Sequence, residues 1–288
     1  MNRIQDYAKI AGRTLTRTPL PDWAYSTAFG KVRIPVPGGK VAKRHAVDVE
    51  LINRTRVVWL DRHKAAAGIV IFLHGGGYSA GPFTGEWQWL SQQVDGRECA
   101  GLMIDYRYGP DYVHPTALDD AQAVIDELKP INWVIAGHQS GCGLALALVG
   151  RLEPEARPSG LVLMNPWLDL EMSNLELAET ETHDPVHERR YWKLSAQGYA
   201  GRAELADPEL SPVNSHFSQL PPIHFSVGTK DIFLTDSRVV KLQLEQAGCA
   251  LTYREIGGRI SVTPWLRRGA DMDRLMREQA VFTERALG

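Results

Sequence analysis

Only three cysteines, Cys99, Cys142 and Cys249, occur in 288 residues. They are too few and too widely spaced for a disulfide framework, and that usage suits a reducing compartment; the expected location is the cytoplasm. Long apolar runs are missing as well. Nothing is long enough to span a bilayer, and the polar opening Met1-Asn2-Arg3-Ile4-Gln5-Asp6 has no signal-peptide core. Nor is there an excess of either charge: a formal net charge of −2 offers no electrostatic case for nucleic acid or an anionic membrane surface. The expected partner is a small molecule, with no cofactor, and a homo-oligomer is left open. Repeats and low-complexity linkers are also lacking.

What is present is ample apolar material, 44% of the chain, enough for a sizeable core without staples. Short strand-like runs at Gly68-Leu73, Gly101-Ile104, Trp133-Ala136, Gly160-Met164 and Ile223-Val227 alternate with amphipathic stretches such as Ala117-Leu128 and Asp236-Ala247. That alternation predicts a mostly parallel sheet with helices on both faces. Lys31-Val36, Ala46-Ile52 and Thr55-Leu60 read as further strands joined by polar turns, so the sheet is expected to be mixed, with an antiparallel edge. Residues 1 to about 25 and 172–203 are helical in pattern but outside the alternation, and are read as small caps over one domain.

Two local patterns carry chemistry. Gly137-His138-Gln139-Ser140-Gly141 has the glycines of a G-x-S-x-G nucleophile elbow, between a short apolar strand and the small-residue stretch Gly143-Val149. The central position holds glutamine, whose carboxamide cannot be deprotonated into a nucleophile near neutral pH. His74-Gly75-Gly76-Gly77-Tyr78 directly follows the strand Ile69-Leu73. Successive glycines at a strand end let main-chain N–H groups face a cavity, which is how an oxyanion hole is built.

The two patterns, together with Asp105-Tyr106-Arg107-Tyr108-Gly109-Pro110, Asn165-Pro166-Trp167-Leu168-Asp169-Leu170, Leu210-Ser211-Pro212-Val213 and Val227-Gly228-Thr229-Lys230-Asp231, resemble those of the hormone-sensitive-lipase group of α/β-hydrolases, nearest to bacterial carboxylesterases and lactone hydrolases. The resemblance runs from about residue 30 to the C-terminus and implies the α/β-hydrolase fold. It further implies an oxyanion hole from the N–H groups of Gly75, Gly76 and Ser140, a triad acid at Asp231, and a triad histidine where Ser261 stands. No histidine follows His224. On that reading the nucleophile and the base are both replaced. His138, Ser140 and Cys142 also depart from the family's Gly-Asp-Ser-Ala-Gly-Gly, and Tyr78, His138 and Cys142 are taken as ligand-contacting positions.

Three functions remain open at this stage. One is non-hydrolytic chemistry on a small carbonyl compound, as in plant relatives of this fold turned dehydratase or cyclase, with Gln139 donating a hydrogen bond and Asp231 moving protons. A second is a binding module, and a third is an active-site-substituted or redesigned carboxylesterase. Ser140 as a displaced nucleophile is a weaker reading, since one step along a strained turn rotates its side chain away. His183 and His187 have a metal-like interval, but Asp184-Pro185 between them reads as a helix start, so no metal is expected. Trp87, Trp89, Trp167 and Trp192 are read as packing before pocket lining.

Overall fold

The computed structural model describes residues 34–184, 189–262 and 269–288. After a short helix α1 (Gly39–Arg44), strands β1 (Val47–Ile52) and β2 (Thr55–Leu60) form a hairpin. Then come β3 (Ile69–Leu73), α2 (Thr84–Val94), β4 (Ala100–Asp105), α3 (Thr116–Leu128), β5 (Trp133–His138), α4 (Ser140–Arg151) and β6 (Gly160–Met164). Helices α5 (Leu177–His183) and α6 (Arg189–Ala200) precede β7 (Ile223–Gly228), α7 (Leu234–Gln246), β8 (Leu251–Ile256) and α8 (Ala270–Leu287). The strands make one eight-stranded sheet in the order β1-β2-β4-β3-β5-β6-β7-β8. Strand β2 pairs antiparallel with β1 and β4, and every other pairing is parallel. The mixed, mostly parallel sheet of the α/β-hydrolase fold is as expected.

Central strands are apolar on both faces because both faces are covered. In β3, Ile69, Ile71 and Leu73 join one core cluster with Leu144 and Leu148 of α4, while Val70 and Phe72 join the other with Leu90 of α2 and Leu275 of α8. Alternation at period two thus sends successive residues of one buried strand into different cores. Trp89 is anchored in the second core through its indole N–H, which donates to Gln279 at 2.8 Å.

The expected strand at Lys31–Val36 is not seen in its described half. Residues 34–36 are irregular, and 31–33 lie outside the described residues. Pro35 and Pro37 remove the donors a ladder needs; the segment is instead tied by the Ile34 N–H to Pro82 O (2.7 Å) and by the Trp87 indole to Ile34 O (2.7 Å). Of the two cap segments, 1–25 lies outside the described residues, whereas α5 and α6 fall within 172–203. Among the described residues no helix is long and apolar enough to cross a membrane.

Candidate active site

Strand β5 runs into Gln139, and α4 starts at the next residue, so the chain must reverse within one position. Gln139 adopts φ 49° and ψ −114°, a strained conformation for a residue with a Cβ. Main-chain bonds hold it there: its N–H donates to Met164 O (3.0 Å), and its carbonyl accepts from Cys142 (3.0 Å) and Trp167 (3.1 Å). The flanking glycines permit the approach, since a Cβ on Gly141 would collide with the Leu73 carbonyl and one on Gly137 with the main chain of Gly141. The expected strand, sharp turn and helix are therefore present, with a carboxamide at the apex.

Opposite the apex, Gly76 (φ 103°) and Gly77 (φ 62°) turn the chain after β3 in conformations that favour glycine. Two of the three N–H groups expected to form the oxyanion hole have acceptors within the protein. Gly75 donates to Glu86 Oε1 at 2.6 Å, and Gly76 donates to Gln139 Oε1 at 3.3 Å. Toward the glycine turn Gln139 therefore presents its carbonyl as an acceptor, whereas its amide was expected to donate. Ser140, whose N–H is the third expected donor, is the first residue of α4, and such positions have no intrahelical acceptor.

Glu86 is a residue that sequence reasoning missed. Its carboxylate is fully buried and accepts from Gly75, from Phe83 N–H (2.7 Å) and from the His138 ring at Nδ1 (2.9 Å). It serves as a cap at the start of α2, but Phe83 at the N-cap gives none of the Ser, Thr, Asp or Asn signals that announce one. His138, expected to touch a ligand, is paired with Glu86 beneath the glycine turn: a Cβ on Gly75 would lie 2.6 Å from its Nδ1. Tyr78, with φ 55°, is buried and stacks on Tyr199 of α6 at 3.8 Å. Burial pushes its hydroxyl well above the ordinary tyrosine range.

The other two elbow positions are turned inward. Ser140 is fully buried, and its hydroxyl oxygen accepts from Tyr78 N–H at 3.3 Å. Cys142 is fully buried against the main chain of Met164, and burial pushes its thiol well above the usual range. Burial thus outweighs any lowering by the dipole at the start of α4.

At the other end of the site, Asp231 is fully buried and accepts from the Asn165 side-chain amide and from Phe233 N–H (2.9 Å). Asn165, in a positive-φ conformation (50°) just after β6, turns its Oδ1 to the Ser261 hydroxyl (3.2 Å) and to Val262 N–H (2.7 Å). A single carboxamide thus bridges the expected triad acid and the position expected to hold the histidine. Sequence offered a signal here, because the segment Asn165-Pro166-Trp167 stands where the resemblance has Ser-Pro-Trp. Helix α6 covers the glycine turn: the Ser195 hydroxyl donates to Gly77 O, and Trp192 packs on Gly77 and edge-on to Trp167. Of the two histidines with a metal-like interval, His187 lies outside the described residues.

Comparison with known proteins agrees with this frame. A family model described as alpha/beta hydrolase fold matches residues 70–262. The chain is 29% identical to an esterase of Acinetobacter venetianus over 66% of its length and 65% of the relative's, so it spans just under two thirds of that protein. It is 25% identical to an acetyl-hydrolase of Streptomyces hygroscopicus over 83% of its own length and 79% of the relative's. The crystal structure of an esterase from the bacterial hormone-sensitive lipase family superposes with a TM-score of 0.82 at 22% identity, covering 100% of both chains. A hormone-sensitive lipase from a metagenome library gives 0.80 at 20% identity over 99% of each. With two thirds of its length matched by the family model and an elbow and glycine turn in their places, the chain belongs to the α/β-hydrolase fold family.

Proposed function

We propose that this protein is an active-site-substituted carboxylesterase, whose Gln139 competes with small carbonyl-containing molecules for the glycine turn and which does not cleave them by acyl transfer at the elbow. The observation that carries the reading is the Gly76 N–H donating to Gln139 Oε1 at 3.3 Å. The side-chain carbonyl takes the donor that a substrate oxygen would use, on a residue that cannot become a nucleophile. Proton transfer by Asp231, the alternative use of this frame, is less well supported, because that carboxylate is fully buried and tied to Asn165.

Two measurements test the proposal. After treatment with a reactive phosphonate ester, peptide mapping should find no adduct on the elbow peptide 133–151. Binding of 4-phenyl-2-butanone, followed by NMR, should tighten by roughly fivefold in Gln139→Ala, since freeing one neutral hydrogen-bond donor is worth about 1 kcal/mol. An adduct on Ser140, or an unchanged affinity in Gln139→Ala, overturns the reading.

A further inference from the structure

Away from the elbow, three side chains from separate parts of the chain stand in line. The Ser91 hydroxyl is 2.7 Å from His45 Nε2, and His45 Nδ1 is 2.7 Å from Asp61 Oδ2. Local structure fixes each member. Ser91 sits in the third turn of α2, His45 caps the C-terminus of α1, and Asp61 follows β2 at φ 55°. The second Asp61 oxygen accepts from Ala46 N–H at 2.9 Å, which orients the carboxylate toward the ring. His45 and Ser91 are buried, at 7% and 4% exposure.

The proton positions follow from the partners. Burial alone would raise Asp61, but the hydrogen bonds from His45 and Ala46 outweigh it and hold the carboxyl below its usual range. An ionised Asp61 can only accept, so Nδ1 carries the ring hydrogen. In the neutral ring Nε2 is then the acceptor, and the Ser91 hydroxyl donates to it. A serine hydrogen-bonded to a basic ring nitrogen, with the other nitrogen oriented by a carboxylate, is the general arrangement of an activated hydroxyl nucleophile.

Ser91, although almost fully buried, is also one of the residues lining a cavity of about 760 Å³, together with Thr84 and Gln88 of the same helix face, Trp87, and the cations Lys40 and Arg44. Among the described residues no carboxylate lines this cavity. Developing negative charge would therefore meet two cations and the Gln88 amide one turn from Ser91, although Arg44 also holds Asp95.

We propose that Ser91, His45 and Asp61 form a second nucleophilic site, independent of the elbow, that accepts an acyl group from small carboxylic esters entering this cavity. Ser91 Oγ bonds to the ester carbonyl carbon as its proton passes to His45 Nε2. The carbon–oxygen bond to the alcohol then breaks, and the same proton leaves with the alcohol. Water cleaves the acyl-serine through the same nitrogen, releasing the acid and restoring Ser91. Ser91 and His45 are the catalytic residues, and Asp61 is a positioning residue.

The test is fluorophosphonate labelling of the full chain with peptide mapping, alongside the burst of p-nitrophenolate from p-nitrophenyl acetate. The expected adduct is on Ser91, and both adduct and burst vanish in Ser91→Ala. Asp61→Asn, which keeps an acceptor for Ala46 N–H, should slow labelling by about 10³-fold or more while far-ultraviolet circular dichroism stays native. A purely structural network would leave Ser91 unlabelled. That result, or a labelling rate that natively folded Asp61→Asn does not change, refutes the proposal. Because mapping separates Ser91 from the elbow, either reading can fail without the other.

Discussion

Replacing Asp236 by asparagine is expected to make the stability of the protein rise with pH by about 3 kcal/mol between pH ~4.5 and ~6.5 relative to the parent. Asp236, in the first turn of α7, is buried at 1% exposure. Burial pushes its carboxyl from 3.8 to about 7, despite the hydrogen bond from Asn174 and the charge of Arg189, with Asp169 adding repulsion. Between those two values the folded chain holds a proton that the unfolded chain has lost. The Asp236 contribution therefore favours folding in acid and is lost as pH rises from about 4 to about 7, at roughly 1.4 kcal/mol per pH unit.

His224 acts in the opposite sense. It is buried in β7 with its ring edge-on to Phe282, and burial lowers it from 6.5 to about 4, against the attraction of Glu278. Between those values the unfolded chain holds the extra proton, so stability falls by about 3 kcal/mol as pH drops from 6.5 toward 4. In the parent the two slopes overlap between about pH 4 and 6.5 and nearly cancel. Urea denaturation at half-unit intervals should expose a positive slope relative to the parent in Asp236→Asn and a negative one in His224→Leu. A variant that tracks the parent's pH profile would falsify the assignment for its residue.

Much of this architecture is legible from local pattern, and what escapes it has a common physical origin. The core strands were visible because a buried parallel strand such as Ile69–Leu73 is apolar throughout, and the elbow because Gly137 and Gly141 have no room for a Cβ. Lys31–Val36 misled because its hydrophobicity has the right period while Pro35 and Pro37 withhold the donors. Within the site, the position of Gln139 was readable, but the direction of its hydrogen bond was not. That depends on how closely two turns approach that are 63 residues apart in sequence. Glu86 and its pairing with His138 left no motif, since a carboxylate in the first turn of a helix is ordinarily solvated. Ser91, His45 and Asp61 come from a helix interior, a helix end and a hairpin end, and only the packing of α1 against α2, with Asp61 at the end of β2 reaching His45, brings them together.

Two further outcomes concern the frame of the elbow. Glu86→Gln should destabilise the fold by about 2–3 kcal/mol in urea, because a buried charged acceptor for the Gly75 and Phe83 N–H groups is weakened and His138 loses its partner. A loss within experimental error would show that the pair does not hold the glycine turn. If the elbow is inactive as proposed, giving it hydrolytic activity should require more than the nucleophile and the base. Gln139→Ser with Ser261→His supplies both, yet Asn165 still holds Asp231 with its amide and accepts from Val262 N–H with its carbonyl. The new imidazole would meet a carboxylate whose facing oxygen is already engaged, and an unoriented histidine forfeits most of the advantage of a triad that acts as a unit. Adding Asn165→Ser shortens the bridging side chain and frees that oxygen. The triple variant is therefore expected to be labelled at position 139 by a phosphonate ester at least about tenfold faster than the double variant. Equal labelling of the two, with both natively folded, would mean that Asn165 does not stand between acid and base.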